Sequence, residues 1–438
     1  MNQGGDYMFR HKKNDLMAWR EKENRLPLLL LGARQVGKTY LLKEFAAQYY
    51  KDFVYINFEL EPQMKTLFDK DLVPERILSD IELTYMKKID IETTLIIFDE
   101  IQLEMRAVTA LKYFAESLVK YHVVGAGSLL GVALNREHYS FPVGKVEMHY
   151  LYPLTFDEFL MGIGSEMLLP RIEEAFNKNE ALPEVIHDQL IERYTQYLYV
   201  GGMPAAINEF NRCGLRIVDF DRQVHENIIN AYIADMSKYT TKSEVMKVQA
   251  IYRSIPDQLA GDQRKFKYSV VEKGAKALTY GSSIEWLLLS QVSLECAMVN
   301  RGEIPLSVYK DPKGFKLYFS DVGLLMAITR VPYMTMVREN EHNLFKGAVT
   351  ENYVAQHLRA KGYDLYYWKN NTSEVDFLLQ QEENIIPIEV KSSTNKRSRS
   401  LMEYMRQYQP LHSIRISRRN FGFNEGIKSV PLYAVYLI

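Results

Sequence analysis

The sequence predicts an α/β protein in three parts. The amino-terminal part is a doubly wound parallel sheet, the middle is helical and winged-helix-like, and the carboxyl-terminal part is again α/β. Three observations carry this. An apolar run, a glycine loop and a helical pattern follow one another near residue 30. A second apolar run ends in the acidic pair Asp99-Glu100. Beyond residue 340, strands return with acidic residues set among their apolar ones. The boundaries read as 1–160, 161–335 and 336–438.

Leu28-Leu29-Leu30-Leu31, entered through Leu26-Pro27, is a short apolar run, as expected of a strand buried on both faces. A proline just ahead of a strand removes no central ladder bond. Gly32-Ala33-Arg34-Gln35-Val36-Gly37-Lys38-Thr39 follows and fits G-x-x-x-x-G-K-[ST]. Its glycines let successive N–H groups turn inward on phosphate oxygens, with Arg34, Gln35 and Val36 forming the arc between them. Lys38 brings a positive charge to the β and γ phosphates, and the Thr39 hydroxyl is a ligand for Mg²⁺. Tyr40-Leu41-Leu42-Lys43-Glu44-Phe45 opens the helix whose N-terminus faces those phosphates.

Phe53-Val54-Tyr55-Ile56-Asn57-Phe58 reads as the next strand, and Leu95-Ile96-Ile97-Phe98 as the one after it. Ligands of open α/β sheets bind at the carboxyl ends of the strands, which is where Asp99 would hold Mg²⁺. Glu100 is the candidate to polarise the water that attacks the γ phosphate. Tyr121-His122-Val123-Val124 runs into Gly125-Ala126-Gly127-Ser128. Ser128 is either a γ-phosphate sensor or an ordinary turn serine. Val146–Leu151 closes the sheet.

The middle part shows helical spacing over Glu184–Tyr199, ended by Gly201-Gly202-Met203-Pro204, then over Asp221–Met236 and Ile284–Ser290. Leu306–Lys310 and Lys316–Phe319 read as a strand pair, hence the winged-helix expectation. In the last part, Leu344–Leu358 reads as a helix and Tyr363–Trp368 as a strand. Val375–Leu379 and Ile385–Lys391 read as a hairpin turning at Glu382-Glu383, and Val430–Tyr436 as a closing strand. That register sets Asp376 nearly opposite Glu389, with Lys391 on the same face as Glu389. Glu351, on the preceding helix, is in reach of the same spot. Such converging carboxylates repel unless a divalent cation neutralises them, and Lys391 would stabilise charge on a phosphate. This is hardware for metal-assisted phosphodiester hydrolysis; the alternative is a surface Glu389–Lys391 ion pair beside solvated acids.

Size and composition set bounds. The 438 residues allow roughly two to four domains. A hydrophobic content of 47% and a charged content of 25% are those of a globular protein, and a net charge of −1 excludes polyanion binding by bulk charge. Cys213 and Cys296 lie far apart without CxxC or Cys/His spacing, which argues against a disulfide framework or a zinc site and fits a cytoplasmic setting. Met1–Asp6 lacks a signal-peptide stretch, and no run approaches the ~20 apolar residues of a membrane helix. The segment Lys396-Arg397-Ser398-Arg399, with Arg415, Arg418 and Arg419, is either a solvated charge run or a seat for a DNA backbone.

The octet at 32–39, Phe98-Asp99-Glu100-Ile101-Gln102, Gly127-Ser128-Leu129-Leu130 and Tyr152–Leu160 occur in order. So do Gly201–Pro204, Ile255–Leu259, Phe319–Leu325, Phe345–Asn352, Ser373–Phe377 and Ile388–Lys391. Over nearly its full length the chain resembles a large group of prokaryotic AAA-type ATPases that carry a C-terminal domain of unknown function. The resemblance implies an ATP-binding core of the AAA (ASCE) P-loop type using Mg²⁺. It also implies a C-terminal domain related to the PD-(D/E)XK nucleases, with that motif on Glu351, Asp376, Glu389 and Lys391 and room for a second divalent metal. Many members have Gly-Arg where this chain has Gly144-Lys145; lysine keeps the charge but loses the planar fork. Arg34 and Arg136 are other candidates for γ-phosphate sensing.

The expected function is therefore an ATP-driven switch coupled to a DNA-facing, nuclease-like module. The alternatives are a non-nucleolytic ATP-dependent regulator and a defence-type signalling protein that assembles into a homo-oligomer on ATP. A nucleotide kinase is disfavoured, since Asp99-Glu100 supplies a water-activating carboxylate and no acceptor lid is evident.

Overall fold

The fold was obtained as a computed structural model that describes residues 8–134, 141–237, 241–261, 264–338, 344–393 and 399–438. The start of the chain (Met1–Asp6), Arg136 and the basic triplet Lys396-Arg397-Ser398 fall outside the described residues. The chain divides into two compact units, one of residues 10–152 and one of residues 153–438 with 1–9.

The 10–152 unit is built on five strands: β1 (Leu28–Leu31), β2 (Asp52–Asn57), β3 (Thr94–Asp99), β4 (His122–Gly127) and β5 (Glu147–Tyr150). They lie in the order β2-β3-β4-β1-β5, and every neighbouring pair is parallel. β1, β3 and β4 are buried along their whole length, which is why they read as unbroken apolar runs, whereas the edge strand β5 alternates. Helices Lys38–Tyr49, Pro74–Tyr85 and Met105–Glu116 follow β1, β2 and β3. Phe58, Phe68, Phe98 and Phe114 form an aromatic chain between sheet and helices, with ring centroids 5.8–6.5 Å apart. Leu31 is in register with Gly127 and Tyr150, and Asp99 with Asn57 and Ala126. The loops after β1, β3 and β4 therefore leave the sheet at one edge.

The 153–438 unit begins with helices, among them Glu184–Val200, Gln223–Met236, Lys242–Ala260 and Ala277–Leu289. Its strands are β6 (Ser293–Val299), β7 (Lys310–Phe319), β8 (Leu365–Lys369), β9 (Glu374–Gln381), β10 (Asn384–Val390), β11 (Ser413–Ser417), β12 (Gly422–Asn424) and β13 (Ile427–Pro431). These form one mixed sheet in the order β12-β13-β11-β10-β9-β8-β6-β7. One core cluster spans the sequence boundary at 335: Val299 and Leu306 pack with Trp368, Val375, Leu401 and Tyr404.

Three elements differ from the sequence reading. Leu306–Tyr309 is a 3-10 turn, because only Leu306 is buried while Val308 faces solvent, and Val308 N–H donates to the Pro305 carbonyl at 3.1 Å. The strand that pairs with β7 is β6 instead, and β6 in turn pairs with β8. The winged-helix-like pair is thus the margin of the large sheet, not a separate wing. At the chain end, Leu432–Leu437 is a 3-10 helix; the ladder of β13 stops at Pro431, which has no N–H to continue it. No helix among the described residues is long and apolar enough to cross a membrane.

Candidate functional site

The loop after β1 has the shape its glycines allow. Gly37 (φ 97°) and Gln35 (φ 66°) both adopt left-handed backbone, and a Cβ on Gly32 would come within 2.4 Å of the Leu151 carbonyl oxygen. Lys38 opens the Lys38–Tyr49 helix, is buried, and its Nζ donates to the Gly32 and Ala33 carbonyls at 2.8 and 2.9 Å. The ammonium is thereby curled inside its own loop. Val36 is buried, Arg34 half-buried, and Gln35 and Tyr40 exposed. Arg10, which the sequence reading passed over, supports the loop from behind: it is buried and its Nη1 donates to the Val36 carbonyl at 2.8 Å.

Asp99 ends β3 facing this loop. Its Oδ2 accepts from Thr39 Oγ1 at 2.7 Å and from Tyr55 Oη at 2.8 Å, while Asn57 Nδ2 donates to Tyr55 Oη at 3.1 Å. Thr39 and Asp99 are 60 residues apart in sequence and within hydrogen-bonding distance in space. Burial, and secondarily the Asp99 carboxylate, pushes the Tyr55 phenol up, so it stays a donor.

Glu100 takes left-handed backbone (φ 51°) and its N–H donates to Asp99 Oδ1 at 3.0 Å. Burial pushes its carboxyl up from the ordinary glutamate value, with Asp99 and Glu59 adding to the shift and Gln102 and Lys38 opposing it. Gln102 Nε2 donates to Glu100 Oε2 at 2.5 Å, whereas Gln102 Oε1 is buried without a hydrogen-bond partner. Gly127 leaves room for that amide: a Cβ there would meet Gln102 Oε1 at 2.4 Å. Tyr55 and Gln102 were not singled out from sequence; the only signal was their phase, Tyr55 two residues before the tip of β2 and Gln102 three after Asp99. Ser128 is buried and follows directly on β4, at the same sheet edge.

Lys145 does not join this group. It precedes β5, whose first residue is in register with the first residue of β1, and its Nζ pairs with Glu116 at 3.2 Å. Because the strands are parallel, Lys145 stands at the amino edge of the sheet, a strand's length from the loop.

The second constellation lies in the other unit. The β9–β10 register pairs Phe377 with Ile388, so Asp376 and Glu389 come next, side by side, and Val390 N–H donates to Asp376 Oδ2 at 2.7 Å. Lys391 Nζ pairs with Glu389 Oε1 at 2.5 Å, and Arg415 on β11 is in register with Glu389. Glu389 Oε2 is buried without a partner; burial, then Asp376, pushes this carboxyl up to about 7.

Glu351, on the Leu344–Ala360 helix, is held by groups of its own chain. It is fully buried and accepts from Lys316 Nζ at 2.9 Å, from Arg264 Nη1 and from Tyr318 Oη. Lys316 also pairs with Glu374 at 2.8 Å, and Glu374 with Lys369 at 2.9 Å. The charge of Glu351 is thus balanced by side chains, whereas Glu389 Oε2 has no hydrogen-bond partner. Among the described residues no group of three or more His, Cys, Asp or Glu is arranged to hold a metal ion. Lys316 and Tyr318 were legible as one face of a strand, but Arg264 comes from a distant segment that carries no motif. Of the basic residues proposed for DNA, Arg415 sits beside Glu389.

Comparison with known proteins follows this division. Residues 24–160 match the family described as an AAA domain. Residues 191–335 and 346–435 match two domains of unknown function (DUF8612 and DUF4143). No curated protein matches the chain. Among solved structures, the chain is similar to the ORC2 protein of Aeropyrum pernix in its ADPNP–ADP complexes, at 13% identity over 77% of this chain and 98% of that one, with a TM-score of 0.39. The RuvB Holliday junction branch migration motor of Thermotoga maritima gives 15% identity over 71% and 92%, with a TM-score of 0.30. A signal transduction ATPase with numerous domains from Pyrococcus horikoshii gives 13% over 81% and 46%, with a TM-score of 0.27. Scores this low carry nothing about what the chain binds. The AAA-domain match covers all five strands of the parallel sheet and the loop, acid pair and Ser128 at its carboxyl edge.

Proposed function

We propose that the 10–152 unit binds and hydrolyses ATP, acting as a nucleotide-driven switch. The observation that carries this is the Thr39–Asp99 hydrogen bond at 2.7 Å beside the buried Lys38 ammonium. A hydroxyl and a carboxylate already in contact, next to a loop with left-handed backbone at Gln35 and Gly37, are the donor set that a Mg²⁺–triphosphate requires. Bound there on Thr39 and Asp99, Mg²⁺ would neutralise charge on the β and γ phosphates.

The chain's own residues do the rest. Backbone N–H groups from Ala33 to Thr39 cradle the phosphates, and Lys38 exchanges two carbonyls of its own loop for phosphate oxygens. Glu100 polarises the attacking water; its burial raises its basicity, and Gln102 fixes one of its oxygens. Ser128 lies at the edge where the γ phosphate ends.

Lys38→Ala should abolish measurable binding of a fluorescent ATP analogue. Glu100→Gln should keep binding and lower phosphate release by ~10²–10⁴-fold. The acid limb of the wild-type rate should lie above the usual glutamate value and vanish in Glu100→Gln. Wild-type protein that fails to bind ATP with Mg²⁺ present would remove the proposal.

A second reading concerns Asp376, Glu389 and Lys391 as a nuclease-like centre facing DNA. One observation favours it: the hairpin sets two acids and a lysine together and leaves Glu389 Oε2 buried and unpartnered. Glu351, already saturated by Arg264, Lys316 and Tyr318, would then act by ordering cations. Nicking of plasmid DNA with Mg²⁺ or Mn²⁺, lost in Asp376→Ala, is the expected result under this reading. DNA left intact at both metals returns the unit to the non-nucleolytic regulator.

A further inference from the structure

A cavity of about 450 Å³ opens at the turn end of the β9–β10 hairpin, whereas Asp376 and Glu389 sit at the hairpin's open end. Its walls come from the hairpin turn, the loop around Gly302, and the end of the Arg399–Tyr408 helix with the residues after it.

The floor is aromatic. Tyr404 and Tyr408 are one helical turn apart, so they share a face, with ring centroids 4.6 Å apart and planes at 38°. Trp368 stands edge-on to both, at 5.3 and 6.1 Å, which fixes their orientation. Tyr404 is fully buried and its hydroxyl has no hydrogen-bond partner. Gly302 lines the cavity with it: a Cβ on Gly302 would meet Tyr404 Oη at 2.2 Å, so the hydroxyl packs on the bare backbone of that cavity residue. A buried phenol oxygen without a donor is costly, and a ligand N–H would relieve it.

The charge has one sign. Glu303 and Glu383 line the cavity, and among the described residues no Lys, Arg or His does. Among the described residues Glu383 makes no ion pair, and Arg301 approaches Glu303 only to 4.0 Å. Ile304 and Leu411, both exposed, complete an apolar rim.

An aromatic floor attracts cations, two carboxylates reinforce them, and an apolar rim receives a methylene shaft. The orphaned hydroxyl adds a demand for a directed N–H. A planar guanidinium meets all four conditions: it stacks on tyrosine, carries five donors in a fork and hangs from an aliphatic stem. We propose that this cavity is a recognition site for an arginine side chain presented by a partner polypeptide.

The test uses the full chain and two capped tripeptides, Ac-Ala-Arg-Ala-NH2 and its citrulline counterpart, titrated calorimetrically. Citrulline keeps the shape and removes the charge. The arginine peptide should bind at least about tenfold more tightly, and its affinity should fall several-fold as salt rises tenfold. Glu303→Gln with Glu383→Gln should cost about tenfold, and Tyr408→Leu about fivefold or more. The glutamine pair is on exposed positions and leaves the core untouched, so it remains decisive if Tyr408→Leu disturbs folding. Equal affinity for the citrulline peptide would overturn the proposal. So would equal affinity for a lysine counterpart, absence of binding at about 10 mM, or an affinity unmoved by the glutamine pair.

Discussion

At the scale of single residues, two of the carboxylates whose ionisation burial opposes, Glu100 and Glu389, behave differently. Glu100 has Gln102 on one oxygen and the nearby Lys38 charge to hold it. Glu389 has Lys391 on one oxygen and nothing on the other, and its carboxyl stands at about 7 in the folded chain. In the unfolded chain it titrates near an ordinary glutamate, about 4.3. Between those two values the folded state holds a proton that the unfolded state has released. Its contribution to stability is therefore fully present below the lower value and is lost as pH rises through about 7. Glu389→Gln keeps the neutral form at every pH, so its melting temperature relative to wild type should climb across that window and level off above it. Parallel melting curves from pH 4.5 to 7.5 would show that the carboxylate is better solvated than its burial implies. The glycine loop at 32–39 and the acidic end of β3 were legible in the sequence because each is local: a glycine spacing, and a change from apolar to acidic within two residues. The saturation of Glu351 was not, because Arg264, Lys316 and Tyr318 reach it from segments 33 to 87 residues away.

At the scale of elements, Asp321 ties two of them together without any cation. It is fully buried and N-caps the Val322–Ile328 helix, where Oδ1 accepts from Leu324 N–H at 3.0 Å. Its Oδ2 accepts from Gly202 N–H at 2.7 Å, in the turn that ends the Glu184–Val200 helix. The close approach explains Gly201 (φ 78°), whose Cβ would come within 2.3 Å of Asp321 Oδ1. Burial pushes this carboxyl up to about 6 and the backbone N–H bonds oppose that shift. Asp321→Asn replaces one acceptor oxygen by an NH2 that faces a backbone donor. It should destabilise the fold by roughly 1–3 kcal/mol, read as a lower denaturant midpoint with unchanged slope. A midpoint within error of wild type would mean that water serves those N–H groups instead. The sequence marked both ends of this link, the Gly-Gly-Met-Pro stop and the Phe319–Leu325 motif, but not their contact. The same limit explains Leu306–Tyr309. Alternation of Leu306 and Val308 suits a strand, yet a strand also needs a neighbour, and the edge it would have used is held by β6 against β7. The hairpin at 374–390 was legible because its two arms and its turn are adjacent in sequence, which sets the register directly.

At the scale of the whole molecule, the expected boundary at 335/336 coincides with the gap between two family matches, 191–335 and 346–435, while one sheet runs across it. Composition and motif spacing put a boundary at 335/336, because the nuclease-like motifs all lie beyond it. The hydrogen-bonded ladder runs across that position: β6 pairs with β8 in parallel, Cys296 to Val299 against Leu365 to Trp368. Core residues from both sides share one cluster, Val299 and Leu306 with Trp368, Leu378 and Tyr404. Glu351, beyond the boundary, is neutralised by Lys316 before it. A fragment of residues 336–438 would open the edge of β8, strip one wall from Trp368, and leave the Glu351 carboxylate buried without its lysine. Each of these is destabilising, and an open apolar strand edge also invites aggregation. A cut at 152/153 severs no strand pairing, since β1–β5 and β6–β13 form separate sheets. Expressed alone, residues 10–152 and 153–438 should each give cooperative thermal unfolding and resist limited proteolysis, while residues 336–438 should be insoluble or unfolded. A soluble, cooperatively melting 336–438 fragment would show that the terminal strands suffice for a core, and that β6 and β7 are an addition to a domain complete without them.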